Sequence, residues 1–185
     1  MLSEVALLEA ISRFSGSVLD IGSGTGEHAE RMREAGLRVT TLSLIPPADI
    51  IGNYLDQWFP EGFDCIWASH VLEHQPNPNL FLQKVFSDLK DGGILAVTVP
   101  PMKPQIVGGH LTLWNAGLLI YNLIIAGFDC SEAKIIKHGY NISVIVEKRK
   151  AELPEDLHYD RGDILKLAHF FPFPVTEGFD GNNYG

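Results

Sequence analysis

The chain is poor in positive charge. Its 185 residues hold 14 Lys and Arg against 23 Asp and Glu, a formal net charge of −9 with neutral histidines. Nowhere do basic residues gather into a block that could follow a phosphate backbone, so nucleic acid is not an expected partner. Cysteine is nearly absent: only Cys65 and Cys130 occur, far apart and outside any metal-ligand spacing. Neither a disulfide framework nor a zinc site is expected, and a reducing cytoplasm fits. No run of apolar residues is long. The longest, AGLLIYNLIIAGF from Ala116 to Phe128, is interrupted by Asn122 and falls short of the roughly 20 residues that cross a bilayer, so it reads as a buried helix and no membrane span is expected. The N-terminal MLSEVALLEAISRF carries Glu4 and Glu9 at amphipathic spacing, where a secretory leader has a basic segment and then an unbroken apolar one. It is expected to be a helix of the mature chain. Internal repeats are also lacking.

What is present is a 45% hydrophobic composition, enough for one sizeable core. Short stretches rich in Val and Ile alternate with segments of helical period, the pattern of a parallel sheet covered by helices. Strands are expected at 17–21, 38–44, 49–53, 63–69, 93–100, 132–139 and 141–149, with helices in the first, second, fourth and fifth gaps between them. Helices over 27–35, 78–90 and 114–126 each run up to glycine, at Gly36, at Gly92 and Gly93, and at Gly127, where a left-handed cap is least costly. The last two strands, close together around His138 to Tyr140, should form an antiparallel hairpin at the sheet edge. The expected fold is α/β, a seven-stranded mostly parallel sheet with helices on both faces, in a domain over 1–149. Residues 150–185 lose strand periodicity and are expected to be a partly irregular extension that adds nothing to the core, with a short helix at 161–169. Its end, EGFDGNNYG, is expected to be mobile or docked on a partner.

The stretch VLDIGSGTG, from Val18 to Gly26, joins the first strand to a helix. Glycine there permits positive backbone angles and lets a ligand approach the main chain. The dinucleotide fingerprint needs another glycine where this chain has Glu27, and the phosphate loop needs a lysine that does not follow. A carboxylate at the mouth repels pyrophosphate and suits a cation.

With Asp20 ending the strand and Gly22, Gly24 and Gly26 in the turn, the chain resembles the class I S-adenosylmethionine-dependent methyltransferases. The segment FDCIWASHVLEHQPNPNLFLQKVFSDLKDGGILAVTVP is similar to the fourth strand, helix and fifth strand of that family, and the terminal hairpin to its reversed last strand. The resemblance implies a Rossmann-like sheet and S-adenosylmethionine as cofactor, with S-adenosylhomocysteine as product. It implies that Asp20, Gly22, Ser23, Gly24 and Gly26 surround the amino-acid end of the cofactor. Ser43 stands where the family has a ribose-binding acid, followed by Leu44, and Asn53 stands where it has an adenine-binding Asp, with Tyr54 and Leu55 beside it to cover the base. Ser69 and His70 are expected on the cofactor wall. A neutral hydroxyl replaces only part of a carboxylate, so weaker cofactor binding is expected than in a typical relative.

Ligands of open parallel sheets lie beyond the carboxyl ends of the strands, which brings three histidines, His70, His74 and His110, toward one site. Methyl transfer to a hydroxyl needs in-line placement, and a base helps where a proton must leave. Histidine titrates in the useful range, making each of the three a candidate catalytic base. His28 is expected to be inert on an exposed helix turn and Trp114 to be core, and no metal site is expected. The segment GGHLTLWNAGLL and the tail AHFFPF to GFDGN resemble methyltransferase-like proteins of cell-surface polysaccharide pathways, which implies a sugar acceptor. The expected function is therefore methyl transfer to a small molecule or glycan. The alternative is a non-catalytic cofactor-binding or scaffold protein of the same fold.

Overall fold

The computed structural model describes residues 3–182. The chain runs α1 (Glu4–Ile11), β1 (Ser17–Ile21), α2 (Glu27–Glu34), β2 (Arg38–Ser43), β3 (Ile50–Ile51), β4 (Phe63–Ser69), α3 (Pro78–Asp88), β5 (Leu89–Val99), α4 (Ala116–Ile125), β6 (Lys134–His138), β7 (Asn141–Glu147) and α5 (Asp163–Lys166). All seven strands join one sheet in the order β3-β2-β1-β4-β5-β7-β6. Strands β1 to β5 are mutually parallel, and β7 is antiparallel to both β5 and β6. This is the Rossmann-like architecture expected, with the reversed strand set between β5 and the edge strand β6.

The pleat sorts the core into two layers, because successive strand residues face opposite sides of the sheet. Leu19, Ile66, Ala68, Leu95 and Val97 pack with buried residues of α3 and α4. Val18, Cys65, Trp67 and Ala96 pack on the other face against Ala6, Leu7 and Ala10 of α1 and Met32 of α2. Asn77 caps α3 by accepting from the Leu80 N–H at 3.0 Å, and Asn115 caps α4 by accepting from that of Leu118 at 2.7 Å; each side-chain oxygen satisfies a donor the helix leaves free. Among the described residues no helix is long and apolar enough to cross a membrane.

Four expectations are corrected. The second gap, residues 44–49, holds no helix: Pro46 and Pro47 remove two donors from a six-residue link. β3 is two residues long rather than five. Helix α3 stops at Asp88 without a glycine cap, because Leu89 already pairs with Phe63 to open β5; Gly92 instead donates to the Lys148 carbonyl at 3.2 Å within the sheet edge. The extension does complete the core. Ala151, Leu167, Phe170, Phe171 and Val175 are buried in the same cluster as α4, and Phe171 meets Phe173 and Phe179 edge to face. The Gly117 N–H donates to the Gly181 carbonyl at 2.9 Å, so the end of the chain docks on its own fold as far as Asn182; residues 183–185 lie outside the described ones. The aromatic residues at 170, 171, 173 and 179 carried that signal, but their spacing matches neither strand nor helix.

Candidate active site

The strand order reverses beside β1, which has β2 on one side and β4 on the other. The loops leaving β1 and β4 therefore diverge and open a groove. On one wall, the N–H groups of Gly22 and Ser23 both donate to the Leu42 carbonyl, at 2.8 and 3.1 Å, and pin the glycine turn to β2. Gly22 has φ +74°, and a side chain on it would collide with Val71 Cγ2. Gly24 has φ +54° with no atom within 4 Å of where a Cβ would stand, so its main chain faces open space.

Beneath the turn Asp20 is 2% exposed, and its Oδ2 has no hydrogen-bond partner. Burial pushes its carboxyl up to about 7, with a small opposing pull from the charge of Arg33. Ser23 Oγ is a second buried polar atom without a partner. The groove has two lobes. One of about 340 Å³ lies between the glycine turn, Glu27, His28 and the end of β4 at Ser69. The other, of about 420 Å³, is lined by Ser43, Leu44, Asn53, Tyr54, His74 and Phe81. Gly22 and His70 line both.

Ser43 is buried beside the larger lobe, with its Oγ accepting weakly from the Ile45 N–H at 3.4 Å, and Leu44 is an exposed lip. Asn53 Oδ1 already accepts from the Leu55 N–H at 3.2 Å. Tyr54 presents its ring to the lobe while its hydroxyl donates to Asp88 Oδ2 at 2.7 Å; burial and that carboxylate push the phenol upward. Leu55 packs against the core. Ser69 Oγ shares a hydrogen bond with Ser3 Oγ at 3.0 Å, so its hydroxyl is partly committed to the N-terminal segment. His28 is half-buried rather than exposed: it lines the smaller lobe and accepts from Trp67 Nε1 at Nδ1, 3.2 Å away. Trp114 is core, its Nε1 donating to Thr112 Oγ1 at 3.0 Å.

The three candidate histidines do converge, around a residue whose role sequence reasoning missed. The Glu73 side chain is 1% exposed, and its Oε1 lies 3.1 Å from His70 Nδ1. A lone acid in VLEH gives no sign of burial; the cause is the short 3-10 turn over 72–74, which folds Glu73 inward behind His70. His70 itself adopts φ +57° and anchors its N–H to the Thr98 carbonyl at 2.9 Å, leaving Nε2 buried and unpartnered. The Glu73 carbonyl accepts from the N–H groups of Leu111 and Thr112, at 2.8 and 3.2 Å. That tie draws in the loop bearing His110, whose ring meets His74 edge to face at 5.1 Å between centroids. His110 also borders a separate cavity of about 300 Å³ with Lys103, Leu113 and Tyr140.

Residues 1–133 match the model of a methyltransferase domain family. The tRNA U34 carboxymethyltransferase of Colwellia psychrerythraea is 34% identical over 110 residues, covering 49% of this chain and 34% of that protein. The ubiquinone biosynthesis O-methyltransferase of Glaesserella parasuis is 30% identical over 107 residues, covering 46% of this chain and 45% of the relative. The chain thus spans less than half the length of these curated relatives. Among solved structures, the Burkholderia thailandensis 1,6-didemethyltoxoflavin-N1-methyltransferase, with bound 1,6-didemethyltoxoflavin and S-adenosylhomocysteine, superposes with a TM-score of 0.68 at 17% identity, over 80% of this chain and 78% of that one. The matched model takes in the glycine turn, Glu73 and all three histidines, and the chain belongs to the methyltransferase domain family in its class I, S-adenosylmethionine-dependent form.

Proposed function

We propose that the protein transfers a methyl group from S-adenosylmethionine to a small-molecule or sugar acceptor. The observation that carries the reading is the buried Asp20 carboxyl with its unpartnered Oδ2 under the glycine turn. A buried polar group without a partner is unfavourable, and the ammonium of an amino-acid ligand supplies both the missing donor and the missing charge. Ser23 Oγ offers a further contact, and the open main chain at Gly24 leaves room. Pyrophosphate fits poorly against Asp20 and Glu27. We assign Ser43 to the ribose and Asn53 with Tyr54 to the adenine, a reading supported by all three lining the larger lobe.

S-adenosylmethionine supplies an electrophilic methyl group on a positively charged sulfur. This chain's residues position, shield and deprotonate. Glu73 holds His70 through Nδ1, which fixes the ring and leaves Nε2 as the basic nitrogen. His70 lines both lobes, so an acceptor hydroxyl reaching the groove surrenders its proton to His70 Nε2. The net charge of −9 and the lack of a basic block favour a small molecule or sugar over tRNA as acceptor. Cys65 and Cys130 are both free and buried, in keeping with a reducing compartment such as the cytoplasm.

A second reading, cofactor binding without turnover, rests on Ser43 standing where relatives carry an acid. Incubation with methyl-labelled S-adenosylmethionine and extracts of the source cell separates the two: labelled product supports transfer, and tight cofactor binding with no labelled product supports the second reading.

A further inference from the structure

We infer that Glu73, His74 and His110 form a binding site for a divalent transition-metal ion. One ligand atom from each lies within 4.8 Å of the other two. His74 Nδ1 sits 2.7 Å from the Gly109 carbonyl oxygen. A carbonyl only accepts, so Nδ1 carries the hydrogen and Nε2 keeps its lone pair. Anchoring one ring nitrogen on a backbone carbonyl is how imidazoles are oriented toward metals. That Nε2 lies 3.9 Å from Glu73 Oε1, and the His110 ring closes the third side.

The buried acid points to a missing cation. Glu73 Oε1 is engaged by His70, but Oε2 is buried with no hydrogen-bond partner. A carboxylate held out of water, with Oε1 3.9 Å from His74 Nε2 and Oε2 unused, has capacity to bind an ion beside it. The cluster is also preassembled, since the Glu73 carbonyl binds the N–H groups of Leu111 and Thr112 and so fixes the His110 loop to the Glu73–His74 turn. Two nitrogens and one carboxylate suit Zn²⁺, Mn²⁺, Fe²⁺ or Co²⁺, whereas Mg²⁺ and Ca²⁺ prefer all-oxygen sites. Bonds of about 2.1 Å in a tetrahedron place ligand atoms about 3.4 Å apart, so the cluster closes through modest side-chain rotation.

Three protein ligands leave a coordination position open, as catalytic metal sites do. His74 lines the larger lobe of the groove and His110 the cavity at Lys103 and Tyr140, so the ion lies between the two with that position free for an oxygen-bearing ligand. In the sequence two of the ligands are adjacent and the third arrives from a distant loop, so spacing alone does not bring the three together.

The test is titration of the chelator-stripped full chain with Co²⁺ and with Zn²⁺, followed by calorimetry and by the visible absorption of bound Co²⁺. One ion per chain is expected. His74→Ala and His110→Ala should each weaken binding about 10-fold or more, while His158→Ala, on the exposed extension, should leave it unchanged. Glu73→Gln should also weaken it, and if that buried substitution unfolds the chain by circular dichroism, the two histidine variants still decide. No stoichiometric uptake by the wild type, or unchanged affinity in both histidine variants, overturns the proposal. A parallel titration with S-adenosylhomocysteine reads the cofactor site separately, so failure of one reading is distinguishable from failure of the other.

Discussion

Glu73 and His70 form a buried pair, with Oε1 3.1 Å from Nδ1 and the acid side chain 1% exposed. In the proposed reaction His70 is the base, acting through Nε2, which is buried and without a hydrogen-bond partner. His70→Ala should lower kcat by about 100-fold or more, while S-adenosylhomocysteine affinity changes far less. An unchanged kcat in the variant would remove His70 from proton transfer.

Asp20 gives a pH dependence whose sign can be worked out. Its carboxyl titrates at about 7 in the folded chain against an ordinary value of 3.8, so between those values the folded state holds a proton that the unfolded state has lost. The ligand-free protein therefore loses stability as pH rises from about 4 to about 7, by a few kcal/mol in order of magnitude. Asp20→Asn should flatten that part of the stability curve in denaturant titrations. Cofactor affinity runs the other way: an ammonium prefers the carboxylate, so binding should strengthen between about pH 6 and about pH 8, and Asp20→Asn should lose this gain. Affinity independent of pH in the wild type contradicts the assignment of Asp20 to the amino group.

Two glycines of one turn should respond differently. Gly22→Ala meets Val71 and should destabilise the fold by roughly 2 kcal/mol or more, through collision added to left-handed strain. Gly24→Ala adds a methyl to open space, so thermal unfolding should fall only by the strain, about 1–2 kcal/mol, while cofactor binding is lost. A Gly24→Ala protein that binds like wild type would show that the ligand does not approach this turn.

Ser43→Asp should tighten S-adenosylhomocysteine binding about 10-fold, since a hydrogen bond to a charged group exceeds a neutral one by roughly 1–1.5 kcal/mol. Isothermal titration of both proteins checks it; weaker binding in the variant would mean that the ribose lies elsewhere.

The extension belongs to the fold. Phe171 is buried against Phe179 and the α4 core, and Phe171→Ala should reduce unfolding free energy by about 3–5 kcal/mol. A loss within experimental error would mean that the extension is not docked in solution.

Much of this was legible in the sequence where one residue type has one physical reason to be there. The glycine turn, the alternating apolar strands and the reversed β7 follow from local chemistry. What escaped depends on contacts between distant segments. The burial of Glu73 behind His70 comes from the 3-10 turn and has no sign in the sequence, and the aromatic side chains of the extension have no period because an irregular chain, not a helix face, presents them. His28 likewise became a groove residue only through Trp67, which the pleat of β4 turns toward α2.

The most direct test of the central claim is calorimetric titration of the folded chain with S-adenosylhomocysteine. Saturable binding of one molecule per chain, lost in Gly24→Ala and pH-dependent through Asp20, is the predicted result. No heat and no shift in melting temperature for the folded wild type, at ligand concentrations that saturate its relatives, would contradict it.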